Sequence, residues 1–271
     1  MKNKLFILLA LTLLVFSCGK TDQQGKKTEK KSKDESVVKE YYSNGKIKTE
    51  ISAKGQLRQG PTRNYDRNGL LLSEVNYDNN IMDGKATNYY AKSGKINSTF
   101  FYKKGIKEGD ETWYYESGKP YRVSPYIQGK IEGIQKHYYE DGKLQAEVIY
   151  KNGFPGTGLK EYKPDGSLVS DYPIISIRKE DHLRNANKII LIISLSNNKS
   201  SVKFYRGALL DGKYLHDKLF NMATQEGKAE MDYNVTPGTM IKQNIVISAN
   251  YKTPMGNPYV ITKRYTVEAA N

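Results

Sequence analysis

The side chains from which reaction centres are usually built are sparse in this chain. It has three histidines, His137, His182 and His216, and one cysteine, Cys18. A zinc site needs histidines, cysteines or carboxylates gathered at short spacing, and these four residues are far apart. The acid pairs Asp110-Glu111 and Glu140-Asp141 lie beside turn-type residues and read as solvation. His216 stands near Asp211 and Asp217, but no nucleophile is placed beside them. The glycines follow neither the phosphate-loop nor the dinucleotide pattern. The expectation is a non-enzyme without metal or cofactor. The remaining chemistry is aromatic. Fifteen of the 22 tyrosines fall within residues 41–168. Tyr42, Tyr89, Trp113, Tyr115, His137 and Tyr139 are the residues expected on an exposed binding face there.

These aromatics recur because the chain does. A tyrosine, three residues and a glycine repeat six times, with the glycines at 45, 69, 94, 118, 142 and 166, hence spacings of 24, 25, 24, 24 and 24. A fixed period of this length marks a repeat array. Asn-Gly, Ser-Gly and Asp-Gly suit tight turns, so each unit reads as a β-hairpin. Apolar residues follow each turn at alternate positions: Ile51, Val75, Phe100 and Val148 six residues after the glycine, and Tyr77, Tyr102, Tyr126 and Tyr150 eight after. That period places them on one face of a strand. A lone hairpin is marginal in water, so the units must associate to be stable. The tyrosine four residues before each glycine is expected in the packed row. Its neighbours Tyr42, Tyr89, Tyr115 and Tyr139 are expected on the other side.

Segments such as Gly109-Asp110-Glu111-Thr112-Trp113-Tyr114-Tyr115-Glu116-Ser117-Gly118-Lys119 and Gly133-Ile134-Gln135-Lys136-His137-Tyr138-Tyr139-Glu140-Asp141-Gly142-Lys143 resemble the bacterial variant of the MORN repeat. The resemblance spans residues 41–168. It implies a β-hairpin array with a role in protein contact or envelope attachment, and no catalytic residues. Some bacterial members carry an antitoxin label.

Residues 1–17 read as a signal peptide. Lys2 and Lys4 precede an apolar run from residue 5 to 16, too short for a spanning helix and right for a signal core. Val15-Phe16-Ser17-Cys18 resembles a lipobox. Resemblance to bacterial lipoproteins implies cleavage before Cys18, its modification by acyl chains, and anchoring of the chain in a membrane of the cell envelope. Gly19 after the cysteine favours the outer membrane where two membranes exist. Residues 18–40, rich in Lys, Glu, Gln, Ser and Thr, cannot bury enough surface to fold and are expected as a flexible tether.

The period ends at Gly166. Residues 169–271 carry strand-type runs at 174–177, 189–195, 202–205, 229–235, 244–249 and 259–267, separated by turn residues. This pattern predicts a β-sandwich of immunoglobulin or fibronectin type. Residues 214–222 are expected as a short helix across one end. The fold class is therefore all-β: an array of antiparallel hairpins followed by a sandwich.

The net charge is +14, of which +2 belongs to residues 1–17. An exported protein does not normally meet nucleic acid, so the expected anionic partners are lipid head groups, polysaccharide or acidic proteins. The leading expectation is a lipid-anchored protein that binds a protein partner or scaffolds the envelope. The alternatives are a carbohydrate- or cell-wall-binding module, for which one tryptophan is few, and a toxin-neutralising role resting on the family label.

Overall fold

The structure is a computed structural model that describes residues 27–30 and 34–271. The expected signal peptide, Cys18 and most of the tether lie outside the described residues. One antiparallel sheet holds β1 (Lys27–Lys30), β2 (Glu35–Tyr41), β3 (Ile47–Lys54), β4 (Leu57–Tyr65), β5 (Leu71–Asp78), β6 (Ile81–Tyr89), β7 (Ile96–Lys103), β8 (Ile106–Lys107), β9 (Gly109–Tyr114), β10 (Pro120–Ile127), β11 (Lys130–Ile131), β12 (Gly133–Tyr138), β13 (Leu144–Lys151), β14 (Phe154–Pro155) and β15 (Lys160–Glu161). The strands lie side by side in chain order, so each hairpin joins the next by a backbone ladder. The sheet begins before the boundary expected from the sequence. Residues 27–30 and 35–40, assigned above to the flexible tether, are strands β1 and β2, paired to each other, with β2 paired to β3 from Glu35↔Lys54 onward. The adjacent Val37 and Val38 give each face of this strand one half-buried apolar residue, and no turn glycine precedes it to mark it as part of the period.

Cross-strand partners share a face of the sheet. One row runs Glu40–Thr49–Asn64–Ser73–Asn88–Ser98–Trp113–Arg122–His137–Ala146–Glu161. On the same face Tyr77, Tyr102, Tyr126 and Tyr150 stand opposite Gly60, Gly84, Gly109 and Gly133. These glycines have positive φ, which side-chain-bearing residues rarely adopt, and they leave the space each ring covers. The period-two positions read from the sequence thus fall on one face, as expected. Several of its most buried members are polar, however: Thr62, Ser98, Ser124, Glu111 and Gln135. A one-layer sheet has no second layer to cover it, so its interior is a cross-strand network rather than an oily core. The opposite face carries a charge-alternating row, Lys39–Glu50–Arg63–Glu74, then three threonines and Val123, then Lys136–Glu147–Lys160. Arg63 and Glu74 meet at 2.5 Å.

The second unit is a sandwich. One sheet orders β16 (Ile175–His182), β17 (Lys188–Leu195) and β20 (Ala229–Asn234); the other orders β19 (Phe220–Asn221), β18 (Val202–Arg206), β21 (Met240–Lys252) and β22 (Pro258–Ala270). Their inner faces share one core, in which Ile189, Leu191 and Ile193 meet Phe204, Ile247 and Val267. The fourth strand, β19, lies in the sheet of the third, whereas the constant-type immunoglobulin sandwich places it in the other sheet. The helix α1 (Leu183–Ala186) is one turn in the β16–β17 connection. Residues 214–222 are not the helix expected from the sequence. They form a loop ending in β19, and its leucines have another use.

That loop docks the sandwich on the last hairpin. Leu209, Leu215, Leu219 and Val260 form a second core with Phe154 and Tyr205. Thr157 N–H donates to Lys213 O at 2.9 Å, and Leu215 N–H to Pro155 O at 3.1 Å. Gly156 lies where an added Cβ would stand 2.7 Å from the Tyr214 ring. Glu161, 1% exposed, ends the row of the array and accepts from Thr253 Oγ1 (2.6 Å), Asn257 Nδ2 (2.6 Å) and Tyr172 Oη (3.0 Å).

Candidate interaction face

The aromatic face of the array is where unusual side chains converge. Trp113 on β9, Arg122 on β10 and His137 on β12 are successive cross-strand partners. The Arg122 guanidinium lies 5.3 Å from the Trp113 ring centroid, a cation–π arrangement. Trp113 meets Phe100 edge-on at 6.1 Å and Tyr121 at 6.4 Å, and Tyr121 meets Tyr115 at 5.4 Å. One strand-pair position away, the Lys107 ammonium sits over Phe100 (4.4 Å) and Tyr126 (4.9 Å) and pairs with Glu111 at 3.1 Å. Arg58 lies over Tyr77 and Arg67 over Tyr42. The face is therefore a series of cations held on rings.

Burial sets the protonation of this cluster. It pushes the Tyr126 hydroxyl up to about 12, with the Glu111 carboxylate adding to the shift. Burial, then the Arg122 charge, pulls His137 down to about 4, so its imidazole is neutral near pH 7. His137 Nε2 lies 3.0 Å from Gln135 Oε1, and Gln135 Nε2 donates to Ser124 Oγ at 2.8 Å. Trp113 Nε1 and Arg122 Nε are covered by neighbouring atoms and have no hydrogen-bond partner. Among the described residues no group of three or more His, Cys, Asp or Glu could hold a metal ion.

The six residues expected on one exposed face divide three ways. Trp113 and His137 share the row just described. Tyr42, Tyr115 and Tyr139 are not free contact residues. All three are half-buried, and their hydroxyls donate to the carbonyls of Tyr65 (2.8 Å), Tyr138 (2.8 Å) and Tyr162 (2.7 Å), one repeat onward. Tyr89 belongs to the opposite face, as the residue before the charged face ends at the turn. The third turn is one residue longer than the others: Gly94 N–H reaches back to Tyr90 O, whereas Gly118 N–H reaches Tyr115 O. Counting back from the glycine therefore pairs Tyr90 with Tyr114, while in space Tyr89 matches Tyr114, and Tyr90 matches Tyr115. Tyr90 Oη accordingly donates to Tyr114 O at 2.6 Å.

The sequence reading missed Phe100, Lys107, Tyr121 and Arg122 as members of the site. Arg122 was findable: it lies four residues after Gly118, and the hairpin register then puts it opposite Trp113.

A family model described as "MORN repeat variant" matches residues 35–54, 58–79, 107–128 and 131–152. The chain is similar to that family over these four segments, and repeats of the family are generally protein- or membrane-interaction modules. The first match starts with β2, and the gap between the second and third contains the longer turn. No curated protein matches the chain.

Proposed function

We propose that this protein is a non-enzymatic, lipid-anchored protein of the cell envelope whose repeat array holds a protein partner on its aromatic face, with the sandwich bracing one end. The observation that carries the reading is the cross-strand row Trp113–Arg122–His137 with Tyr121 and Lys107 beside it. Aromatic and arginine side chains are the usual anchors of protein interfaces. Arg58 and Arg122 form no ion pair among the described residues, while Glu111 and Glu161 on the same face are buried and engaged. The half-buried guanidinium charge left without a carboxylate on this face favours an acidic partner surface. Cys18 carries the anchor in this reading.

Cross-linking in intact cells, followed by capture from membranes, tests the reading. The native protein is expected to retain an acidic protein that Trp113→Ala and Arg122→Glu lose while both variants stay folded. Equal capture by all three, or binding of a glycan on an array in place of a protein, overturns it.

A further inference from the structure

Every hairpin turn of the array is tied to the next one by side chains, except at a single place. The residue opening the turn supplies a hydroxyl and the residue closing it an ammonium. Tyr42, Tyr90, Tyr115 and Tyr139 donate to the carbonyls of Tyr65, Tyr114, Tyr138 and Tyr162. Lys46, Lys95, Lys119 and Lys143 donate to the carbonyls of Asn68 (2.7 Å), Glu116 (2.8 Å), Asp141 (3.1 Å) and Pro164 (3.0 Å). In the second turn the two positions are Asp66 and Leu70. Leucine has nothing to donate. The Asp66 carboxylate folds into its own turn, accepting from the N–H groups of Asn68 and Leu70 at 2.8 Å each. The turn that should receive the ties is the one with the inserted residue.

The opposite edge shows no such gap. Gln59, Asp83, Glu108 and Glu132 side chains accept from the backbone N–H of Asn79, Lys104, Gln128 and Asn152 in the following connection. The β5–β6 pair is thus closed by the chain itself at one end and crossed in its middle by Asn76 Nδ2, which donates to Lys85 O at 2.7 Å; between there and the turn edge only the backbone ladder remains, ending at Ser73↔Asn88.

The geometry points to a seam: the array opens between β5 and β6, from the turn edge inward, so that the first two hairpins move as one unit against the rest. Local opening of this kind occurs where few bonds hold a boundary, ahead of global unfolding. It gives an otherwise continuous sheet one place to change its curvature without breaking the Trp113–Arg122–His137 row.

Amide hydrogen exchange of the whole protein tests this. Amides at 73–75 and 86–88 are expected to exchange faster than those at 122–124 and 135–137. The double variant D66Y/L70K restores the missing donors and should slow exchange at the seam by roughly 5–30-fold, the ratio expected from one or two added bonds. Should that variant fail to fold, Y115F/K119L, which removes the ties between the fourth and fifth turns, should create a second seam at β10–β12. Uniform protection across the junctions of the native protein, or an unchanged β10–β12 pair in Y115F/K119L, overturns the proposal.

Discussion

The hydroxyl of Tyr115 donates to the carbonyl oxygen of Tyr138, 2.8 Å away in space and 23 residues along the chain. A residue expected to face a partner instead joins two repeats. Tyr115→Phe removes the bond and leaves a carbonyl without its donor, so it should cost about 1 kcal/mol of stability. Tyr115→Ala also deletes the ring packed on Tyr121 and should cost about 3 kcal/mol or more. Thermal unfolding of the two variants checks the order. A Tyr115→Ala protein as stable as the native one would return this residue to the solvent-facing class.

The repeat, its period and the inward positions at six and eight residues past each turn glycine were legible in the sequence, because strand alternation and turn chemistry are local. The tyrosine pairs were not. Either member of Tyr114-Tyr115 has the size and polarity for either face, and only the hydrogen bond to a carbonyl one repeat away decides. The inserted residue in the third turn exchanged Tyr89 with Tyr90 for the same reason: counting from the glycine assumes turns of equal length. The docking loop at 207–219 was missed because its leucines, at no regular period, pack on another unit.

His137 should make the protein acid-sensitive. Its folded-state value of about 4 lies below the ordinary 6.5, so the unfolded chain binds the proton more readily between these values. The stabilisation is complete above the unfolded value and is lost as pH falls from about 6.5 toward 4, by at most about 3 kcal/mol. Burial is the larger cause of that shift, and repulsion of the imidazolium by Arg122 is already part of it. His137→Gln should flatten this part of the pH–stability profile relative to the native protein, measured by denaturant unfolding at fixed salt. Profiles that run parallel would show that carboxylates alone set the acid limb.

Cys18 lies outside the described residues, and its role is tested in cells. Labelling with a fatty-acid analogue is expected to mark the native protein and not Cys18→Ala, whose precursor should stay unprocessed by the lipoprotein route. Equal label in both would remove the anchor from the proposed function.

The junction between array and sandwich should fail through one carboxylate. Glu161 accepts three hydrogen bonds, from Tyr172, Thr253 and Asn257, and the last two lie in the turn that joins β21 to β22 of the sandwich. Tyr172 in turn stacks on Tyr259 at 4.4 Å, so displacing it disturbs the first residues of β22. Glu161→Ala strands three donors in a buried site and should cost about 3–5 kcal/mol, because each buried donor left without an acceptor carries its own desolvation penalty. Glu161→Gln keeps the size and two acceptor lone pairs, and should cost less. The cost should appear as lost coupling. The native protein is expected to unfold with array and sandwich together, and Glu161→Ala to separate them into two transitions by calorimetry. Gly156→Ala, which sets a methyl against the Tyr214 ring without touching the carboxylate, should do the same from the other side of the interface. If both variants keep a single transition at an unchanged midpoint, the sandwich does not brace the array, and the two units meet without holding one another.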